Sequence, residues 1–364
     1  MKNITTSTPK LKMNKFDKLF KLINDLVLCH SPSGVENEID ELICNKLKAL
    51  NIHYRNDPAG NIIVKIKGKN SKRSIAIVAH KDEIGAIVKS IQPDGKLSVR
   101  NLGSSFPWVY GEGVVDVIGD NKTIPGILCF GSRHVSYESK QKIFQFEKPL
   151  QWDNVWIDTK LSLDDLESAG IRIGSRVVVG KHRKIPLRMG QYIGSYSLDN
   201  KASLAVLLML ADRLKNPECD VYLVASSKEE ISTIGAMYFT QNNTIDLMIA
   251  LEICPKSDEY NLSSDTAPIL LEQDSYSIYD FALNKNLRDL GRKIKLPLQT
   301  AVLSSFGSDA SACMRNGTVA QAACVCFLTE NTHGYEIVNM NALENCCLLL
   351  EAFCKYPLLN NILK

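Results

Sequence analysis

Ala225-Ser226-Ser227-Lys228-Glu229-Glu230-Ile231 is the stretch around which the rest of the chain can be arranged. An apolar, β-prone run that ends at Ala225 leads into two adjacent acidic residues, and a helical pattern that contains glycine follows. Because side chains alternate between the two faces of a strand, neighbouring carboxylates at its end point in different directions. One carboxylate could bind a metal while the other faces a water molecule. Taken alone, such a pair is more often a solvated acidic turn, so the interpretation depends on the rest of the chain.

The second half of the chain predicts an alternation of strands and helices. β-prone runs occupy 220–226, 246–252, 268–272, 298–303 and 319–327, and helical patterns occupy 198–214, 232–241, 276–292, 308–316 and 340–355. Such alternation is typical of a mostly parallel sheet that is covered by helices on both faces. We therefore predict an α/β fold whose main domain is a three-layer α/β/α sandwich.

The N-terminal part of the chain adds helices, a hairpin and a central strand to this domain. Apolar residues recur at helical spacing in 15–29 and again after Ser33, which is a candidate helix cap. The turn residues Asp57-Pro58-Ala59-Gly60 separate two β-prone runs and predict a hairpin. The mostly apolar run 74–79 ends at His80, which suits a central strand that delivers polar groups at its carboxyl end.

The middle of the chain reads as a separate, small β-rich unit that resembles a barrel. Short β-prone runs, separated or interrupted by turn residues, lie at 97–99, 114–118, 124–129, 155–158 and 176–179. The segments on both sides of this unit show the α/β pattern instead. We therefore predict that residues 89–186 are inserted into a main domain made of residues 1–88 and 187–364.

The composition, with 45% hydrophobic and 23% charged residues, is that of an ordinary soluble globular protein. A net charge of +3 is too small to argue for nucleic acid or a membrane surface as a partner, and no apolar run reaches the ~18 residues that span a bilayer. The polar N-terminus lacks a secretory signal. The eleven scattered cysteines have the spacing of neither a disulfide framework nor a zinc knuckle. We therefore expect a cytoplasmic protein with reduced cysteines.

Candidate metal ligands follow several of the predicted strands. In a sheet of this type ligands collect at the carboxyl ends of the strands, and the polar residues that could gather there are His80, Asp82, Asp199, Glu229, Glu230, Glu252 and His333. Imidazoles and carboxylates form a mixed nitrogen and oxygen set that suits zinc, cobalt or manganese. A pair of ions needs one bridging carboxylate and, for each ion, one imidazole and one further carboxylate. The set meets this requirement and leaves one glutamate to serve as a base.

A series of short motifs extends over nearly the whole chain, from about residue 15 to residue 356. The motifs are Ser31-Pro32-Ser33-Gly34-Val35-Glu36, Asp57-Pro58-Ala59-Gly60-Asn61-Ile62-Ile63, Ala79-His80-Lys81-Asp82-Glu83-Ile84-Gly85, Ser197-Leu198-Asp199-Asn200-Lys201-Ala202, Glu229-Glu230 with Gly235-Ala236, Gly307-Ser308-Asp309-Ala310 and Thr332-His333-Gly334-Tyr335-Glu336. In order and spacing they resemble the co-catalytic metallo-aminopeptidases of the glutamyl-aminopeptidase or tetrahedral (TET) type, which were formerly also described as endoglucanases.

This resemblance implies a zinc-peptidase-like sandwich and five metal ligands, namely His80, Asp199, Glu230, Glu252 and His333. Asp199 would bridge two divalent ions, with zinc as the first choice and cobalt or manganese as alternatives. Glu229 would be the general base that deprotonates the attacking water, and Asp82 would hold the His80 ring. The implied activity is the removal of N-terminal residues from short peptides. The implied assembly is a homo-oligomer, from a dimer to a dodecamer, with the inserted unit as its oligomerisation module.

Several residues depart from the family's pattern. The family usually has Asp where this chain has Glu252, Asp and Arg where it has Asn200 and Lys201, and a small hydroxyl residue at Gly334. In related peptidases, Glu at the position of Glu252 accompanies hydrolysis of N-acyl-amino acids or of C-terminal residues. A deacylase or carboxypeptidase with the same pair of ions is therefore a second hypothesis. The third hypothesis is a catalytically degenerate, assembled protein, against which the retained Glu229 argues.

Overall fold

The structure, a computed structural model, describes residues 15–356. Its strands in chain order are β1 (Arg55–Asn56), β2 (Ile62–Ile66), β3 (Asn70–His80), β4 (Gly85–Ile91), β5 (Leu97–Leu102), β6 (Gly113–Ile118), β7 (Thr123–Cys129), β8 (Trp156–Asp158), β9 (Arg176–Val179), β10 (Leu187–Met189), β11 (Tyr192–Tyr196), β12 (Cys219–Ser226), β13 (Leu247–Pro255), β14 (Ile269–Gln273), β15 (Gln299–Val302), β16 (Gln321–Glu330) and β17 (Tyr335–Asn339). Its α-helices are α1 (Lys15–Val27), α2 (Asn37–Ala49), α3 (Pro107–Tyr110), α4 (Ile143–Phe146), α5 (Leu163–Ser168), α6 (Leu198–Arg213), α7 (Ile234–Asn242), α8 (Phe281–Lys293), α9 (Asp309–Arg315) and α10 (Met340–Cys354).

The main sheet has eleven strands and is mixed in direction. Its middle strands follow the order β12-β3-β13-β16 and are parallel. The strands β2 and β1 continue the sheet antiparallel on one side, and β17, β11 and β10 do so on the other. The α/β class is therefore confirmed. The strands β14 and β15, which branch off β16, form a further parallel pair. The outer strands β10 and β11 are antiparallel because a short hairpin can join only antiparallel strands.

Helices cover both faces of this sheet, which gives the predicted three layers. Alternate residues of β3 enter different cores: Ile75 and Ile77 pack on one face, Ala76 and Val78 on the other. The first core also contains apolar residues of α1, α2, α6, α8 and α10, whereas α7 and α9 contribute to the second. A strand that is apolar on both faces reads as a nearly continuous hydrophobic run, which is the pattern seen in the sequence.

The inserted unit is a closed six-stranded barrel with the strand order β4-β5-β8-β7-β6-β9. Its interior forms a separate hydrophobic core, which includes Val88, Val117 and Ile157. Ser162 caps α5 by accepting a hydrogen bond from the Asp165 amide at 3.1 Å. The chain enters the barrel at β4, shortly after β3, and returns to the main sheet at β10. The exact division into 1–88, 89–186 and 187–364 stays a prediction, and its outermost residues lie outside the described part.

Some local predictions need correction. Helix α8 begins at Phe281 rather than at residue 276, because the Asp280 side chain accepts a hydrogen bond from the Leu283 amide and fixes the start there. Ser33 does not cap α2, since its hydroxyl donates to Asp82 instead. All eleven cysteines lie within the described residues, and each of them is a free thiol. Within residues 15–356, no helix combines the length and the apolar character that a membrane span requires.

Candidate active site

Strand ends at one edge of the sheet bring the predicted site residues together. His80 is the last residue of β3 and pairs in register with Ser226, the last residue of β12. Glu252 lies near the end of the parallel strand β13. Because parallel strands end at the same edge, His80 and Glu252 face the turn after β12, which carries Glu229 and Glu230. Asp199 is the second residue of α6, and His333 lies between β16 and β17.

Asp199 lies between the two histidines. Its Oδ1 is 3.2 Å from His80 Nε2, and its Oδ2 is 3.4 Å from His333 Nε2. His80 Nε2 is also 3.9 Å from Glu252 Oε2 and 3.9 Å from Glu229 Oε2. On the other side, His333 Nε2 is 4.0 Å from Glu230 Oε1. The Asp199 carboxylate therefore lies between His80 with its neighbouring carboxylates on one side and His333 with Glu230 on the other. This is the arrangement that a bridged pair of ions requires.

Asp82 organises the turn that carries the two adjacent acids. Its carboxylate accepts hydrogen bonds from the amides of Glu229 at 2.9 Å and Glu230 at 3.2 Å, and from the Ser33 hydroxyl at 2.6 Å. The carboxylate is 3.5 Å from His80 Nδ1, whereas the Asp82 carbonyl oxygen is 3.2 Å from that atom. Asp82 therefore contacts the His80 ring through its backbone as well as its side chain, and it also fixes the position of both glutamates.

Two groups that the sequence did not assign hold the other histidine. His333 Nδ1 lies 2.6 Å from the carbonyl oxygen of Ser104, a residue of the barrel. The buried Glu336 carboxylate accepts hydrogen bonds from the His333 amide at 3.1 Å and from the Asp199 amide at 2.9 Å. In the sequence, Glu336 belongs to the same motif as His333, three residues later, which is a signal for its role. The contact with Ser104 has no such signal, because it depends on how the barrel packs against the sheet.

Burial and close spacing raise the pKa of several acids in this cluster. Burial raises the pKa of Glu229 and of Glu252 well above the usual range for a carboxyl group, and neighbouring carboxylates add to the shift. Burial also raises the pKa of Glu230 to about 7. Although burial opposes it, the charges of Glu230 and Asp199 raise the pKa of His333 to about 10. Without cations, therefore, this cluster holds protons that a pair of divalent ions would displace.

The residues present fit a pair of cations. Donor atoms of His80, Asp199 and Glu230 all lie within 4.8 Å of one another. Among the described residues, neither Asp199 Oδ1 nor Glu252 Oε1 accepts a hydrogen bond, although Asp199 Oδ1 is 3.2 Å from His80 Nε2, and both oxygens are buried. Buried charged oxygens are normally paired or bound to a metal. Imidazole nitrogens and carboxylate oxygens together suit zinc, cobalt or manganese. The unpaired oxygens and the donor set both point to metal binding.

The residues that depart from the family's pattern have identifiable partners. Asn200 donates to Glu252, and Lys201 donates to the Cys29 carbonyl at 2.7 Å, with its Nζ 3.4 Å from Glu83. A Cβ atom on Gly334 would lie 2.8 Å from Cγ1 of Val109, a residue of α3. The missing side chain at Gly334 thus lets α3 approach the loop that carries His333. The five predicted metal ligands and Glu229 line a pocket of about 420 Å³, together with residues of the inserted unit such as Ser104 and Val109.

Comparison with known proteins identifies the family of this chain. The profile of the family described as M42 glutamyl aminopeptidase matches residues 60–349. Lysyl aminopeptidase of Pyrococcus furiosus is 25% identical over 289 residues, which cover 77% of this chain and 80% of that protein. Aminopeptidase APDkam598 from the archaeon Desulfurococcus kamchatkensis has a TM-score of 0.84 at 25% identity, covering 94% of this chain and 96% of its own.

A further solved structure shares the fold at lower identity. The TET1 peptidase of Pyrococcus horikoshii, which can assemble into a tetrahedron or a large octahedral shell, superimposes with a TM-score of 0.83 at 21% identity. The superposition covers 93% of this chain and 99% of that one. Because the family profile matches most of the sequence, we conclude that this chain belongs to the M42 glutamyl aminopeptidase family and is a peptide hydrolase.

Proposed function

We propose that this protein is a cytoplasmic aminopeptidase that uses two divalent ions to remove N-terminal residues from short peptides. His80 and Glu252 would hold one ion, and His333 and Glu230 the other. Asp199 would bridge the two ions, since its two oxygens face different histidines at 3.2 and 3.4 Å. Zinc is the first candidate, and cobalt or manganese would suit the same donors. The observation that carries the proposal is that these five side chains and Glu229, which come from distant parts of the chain, line one pocket.

The protein's own residues would position the substrate and move the proton. When bound, the two ions would lower the pKa of a water molecule and polarise the scissile carbonyl group. Glu229 would take the proton from the attacking water and pass it to the nitrogen of the leaving amine. The hydrogen bonds from the Glu229 and Glu230 amides to Asp82 hold this base beside the ligand set.

The same proposal covers domain organisation and assembly. Residues 1–88 and 187–364 would form the catalytic domain, and residues 89–186 would form the oligomerisation unit and one wall of the active site. The likeness to a peptidase that assembles into shells supports a homo-oligomer, between a dimer and a dodecamer. Size-exclusion chromatography with light scattering would test the assembly directly.

A Glu229→Gln variant tests the role of the base. Glutamine keeps the size of the side chain but cannot take up the proton, so we expect activity to fall by about 10²–10⁴-fold while two metal ions per chain remain bound. Elemental analysis and hydrolysis of aminoacyl chromogenic substrates would be measured together. The exposed Glu138 provides the matched control, because Glu138→Gln changes the same group away from the pocket. Unchanged activity in Glu229→Gln would reject this assignment.

Blocked and free substrates would separate the remaining hypotheses. An aminopeptidase requires a free α-amine, so acetylated versions of the same peptides should not be cleaved. A preference for N-acylated substrates would identify a deacylase, and release of C-terminal residues would identify a carboxypeptidase. A protein that binds no metal, or whose activity a chelator does not reduce, would contradict the metal-dependent mechanism.

A further inference from the structure

One wall of the active-site pocket is built from exposed aromatic side chains of the barrel. Phe106 and Trp108 stack with their ring centroids 5.7 Å apart and their planes at 19°. Both rings line the pocket, yet 49% of Phe106 and 57% of Trp108 remain exposed. They stand at the start of α3, where Pro107 is the first helical residue. Two large apolar side chains that face water beside a catalytic cluster provide a surface for an apolar group to bind.

The opposite wall of the pocket, on the main domain, is also uncharged. Tyr276, Phe306 and Ile253 line this side, and Tyr276 is 42% exposed. Among the described residues, no lysine or arginine lines the pocket, and its only acids are Asp199, Glu229, Glu230 and Glu252. All four acids already belong to the metal and base cluster. The space beyond that cluster therefore offers aromatic faces, aliphatic groups and hydroxyls, but no spare charge.

We propose that the substrates are peptides whose first residue carries an uncharged apolar side chain, aromatic or long aliphatic. This inference rests on the proposed aminopeptidase function and specifies its substrate class. A first residue such as phenylalanine, leucine or methionine would lie between the Phe106–Trp108 pair and the Tyr276 side of the pocket. Burying that side chain removes apolar surface from water on both partners, and stacked or edge-on aromatic contacts add to the gain.

The same pocket disfavours charged first residues. A glutamate or aspartate side chain would lose part of its hydration without meeting a cationic side chain among the residues that line the pocket. A lysine or arginine side chain would need a carboxylate that is not engaged in the metal cluster, and the lining supplies none. Charged first residues would therefore lose hydration without gaining an ion pair, which is a stronger basis for rejection than a poor fit in size.

A substrate panel tests this inference. We expect kcat/KM for phenylalanyl, leucyl and methionyl substrates to exceed that for glutamyl and lysyl substrates by at least about tenfold, the order that a hydrophobic pocket can supply. Trp108→Ala should lower kcat/KM for the phenylalanyl substrate more than for the alanyl substrate. Trp108→Arg, which adds a cation to the wall, should raise the ratio of glutamyl to phenylalanyl turnover. Phe146→Ala is the matched control, since Phe146 is an exposed aromatic residue of the inserted unit that does not line this pocket.

Binding measured without turnover separates this inference from the proposed function. In the Glu229→Gln variant, calorimetry should show tighter binding of L-phenylalanine than of L-glutamate or L-lysine. Preferential turnover of glutamyl or lysyl substrates would overturn the substrate class and leave aminopeptidase action intact. Failure to cleave any free-amine substrate, with L-phenylalanine still bound most tightly, would instead contradict the proposed function. Equal binding of all three amino acids would reject the aromatic wall as the element that selects the substrate. The same would follow if Trp108→Ala and the unmodified protein had equal ratios of kcat/KM for the phenylalanyl and alanyl substrates.

Discussion

The amide of Asn200 donates a hydrogen bond to Oε2 of Glu252, with an N–O distance of 2.8 Å, and a second one to the Leu251 carbonyl at 3.0 Å. Both side chains are buried, and within residues 15–356 the other oxygen of Glu252 has no hydrogen-bond partner. Asn200 thus binds the Glu252 oxygen that lies 3.9 Å from His80 Nε2. Two of the departures from the family's pattern are therefore in direct contact beside the predicted metal ligands.

Replacing Asn200 by alanine should weaken metal binding. Loss of a group that orients a metal ligand typically lowers metal affinity by about 10–100-fold, and here one of the two ions should be affected more than the other. Competition with a chromogenic chelator would measure both affinities.

The chain offers a matched control for this variant. Asn284 is also buried and donates to the Leu271 carbonyl at 2.8 Å and to the Glu272 carboxylate at 3.0 Å, away from the pocket. Asn284→Ala should cost roughly 1–3 kcal/mol of stability without a change in metal affinity. Equal metal affinities in Asn200→Ala and Asn284→Ala would show that the hydrogen bond to Glu252 does not position a ligand.

The stability of the metal-free protein should fall as the pH rises. Glu229, Glu230 and Glu252 have folded-state pKa values above 4.5, and His333 has a folded-state pKa above 6.5. A group with a raised pKa stabilises the fold below its unfolded pKa and loses that contribution as the pH rises through its folded pKa. The decrease should therefore begin near the carboxyl value of 4.5 and continue through the pKa values of about 7 for Glu230 and about 10 for His333. The lowered pKa of Asp199 has the opposite effect, but only below its ordinary value of 3.8.

Thermal denaturation with and without a chelator would check this dependence. Metal binding requires deprotonated ligands, so the stabilisation by added zinc should increase from acidic to neutral pH. Free metal ions at a concentration of about a hundred times their dissociation constant add roughly 2.7 kcal/mol per site to the free energy of unfolding by mass action. A metal-free protein whose melting temperature rises steadily from pH 5 to pH 9 would contradict the protonation pattern described for the cluster.

Much of the central sheet and of the candidate site could be predicted from the sequence, because the buried strands appear in it as apolar runs. The apolar run before His80 and the one before Glu229 mark buried parallel strands, and such strands must end at a common edge. The sequence could not show that Ser104 would reach His333, because that contact depends on the placement of the barrel. The short strands β17, β11 and β10, which continue the sheet beyond β16, were also missed, since their pairing is set by tertiary packing more than by local preference.

At Gly103 the inserted unit packs closely against Glu230, one of the predicted metal ligands. A Cβ atom at this residue would lie 2.7 Å from Cγ2 of Ile84 and 3.3 Å from Oε2 of Glu230. Gly103→Ala should therefore push the loop away and displace the adjacent Ser104 carbonyl from His333. We expect a loss of kcat/KM of about tenfold or more, because small displacements of positioned groups are costly for catalysis, together with weaker binding of one metal ion.

Gly111 in the same segment is the control for Gly103. Both glycines have positive φ, +82° for Gly103 and +64° for Gly111, but no atom of the described part of the chain lies within 4 Å of a Cβ placed on Gly111. Gly111→Ala therefore reproduces the backbone strain without the collision. Steady-state kinetics and metal content would be compared for the two variants. If both lose activity equally, backbone strain rather than the loop's contact with the cluster accounts for the effect.

Below the catalytic cluster, Glu83 is buried between two lysines. Its two oxygens lie 3.0 Å from Lys184 Nζ, and one lies 3.4 Å from Lys201 Nζ. Although burial opposes ionisation, these charges hold the pKa of Glu83 far below its usual range. Glu83→Gln would leave two buried ammonium groups without their counter-charge, so we expect a loss of about 3–5 kcal/mol in the free energy of unfolding. Urea denaturation at pH 7 would measure this loss.

An exposed ion pair provides the comparison for the Glu83 variant. Glu330 lies 2.8 Å from Lys256 at the surface, with side-chain exposures of 41% and 52%, and Glu330→Gln should cost less than about 1 kcal/mol. The contribution of Glu83 is present above its unfolded pKa of 4.5 and is lost as the pH falls toward its folded value. The difference in stability between the unmodified protein and Glu83→Gln should therefore shrink below pH 4.5. A difference that stays constant down to pH 3 would mean that Glu83 stabilises the fold by packing and not by its charge.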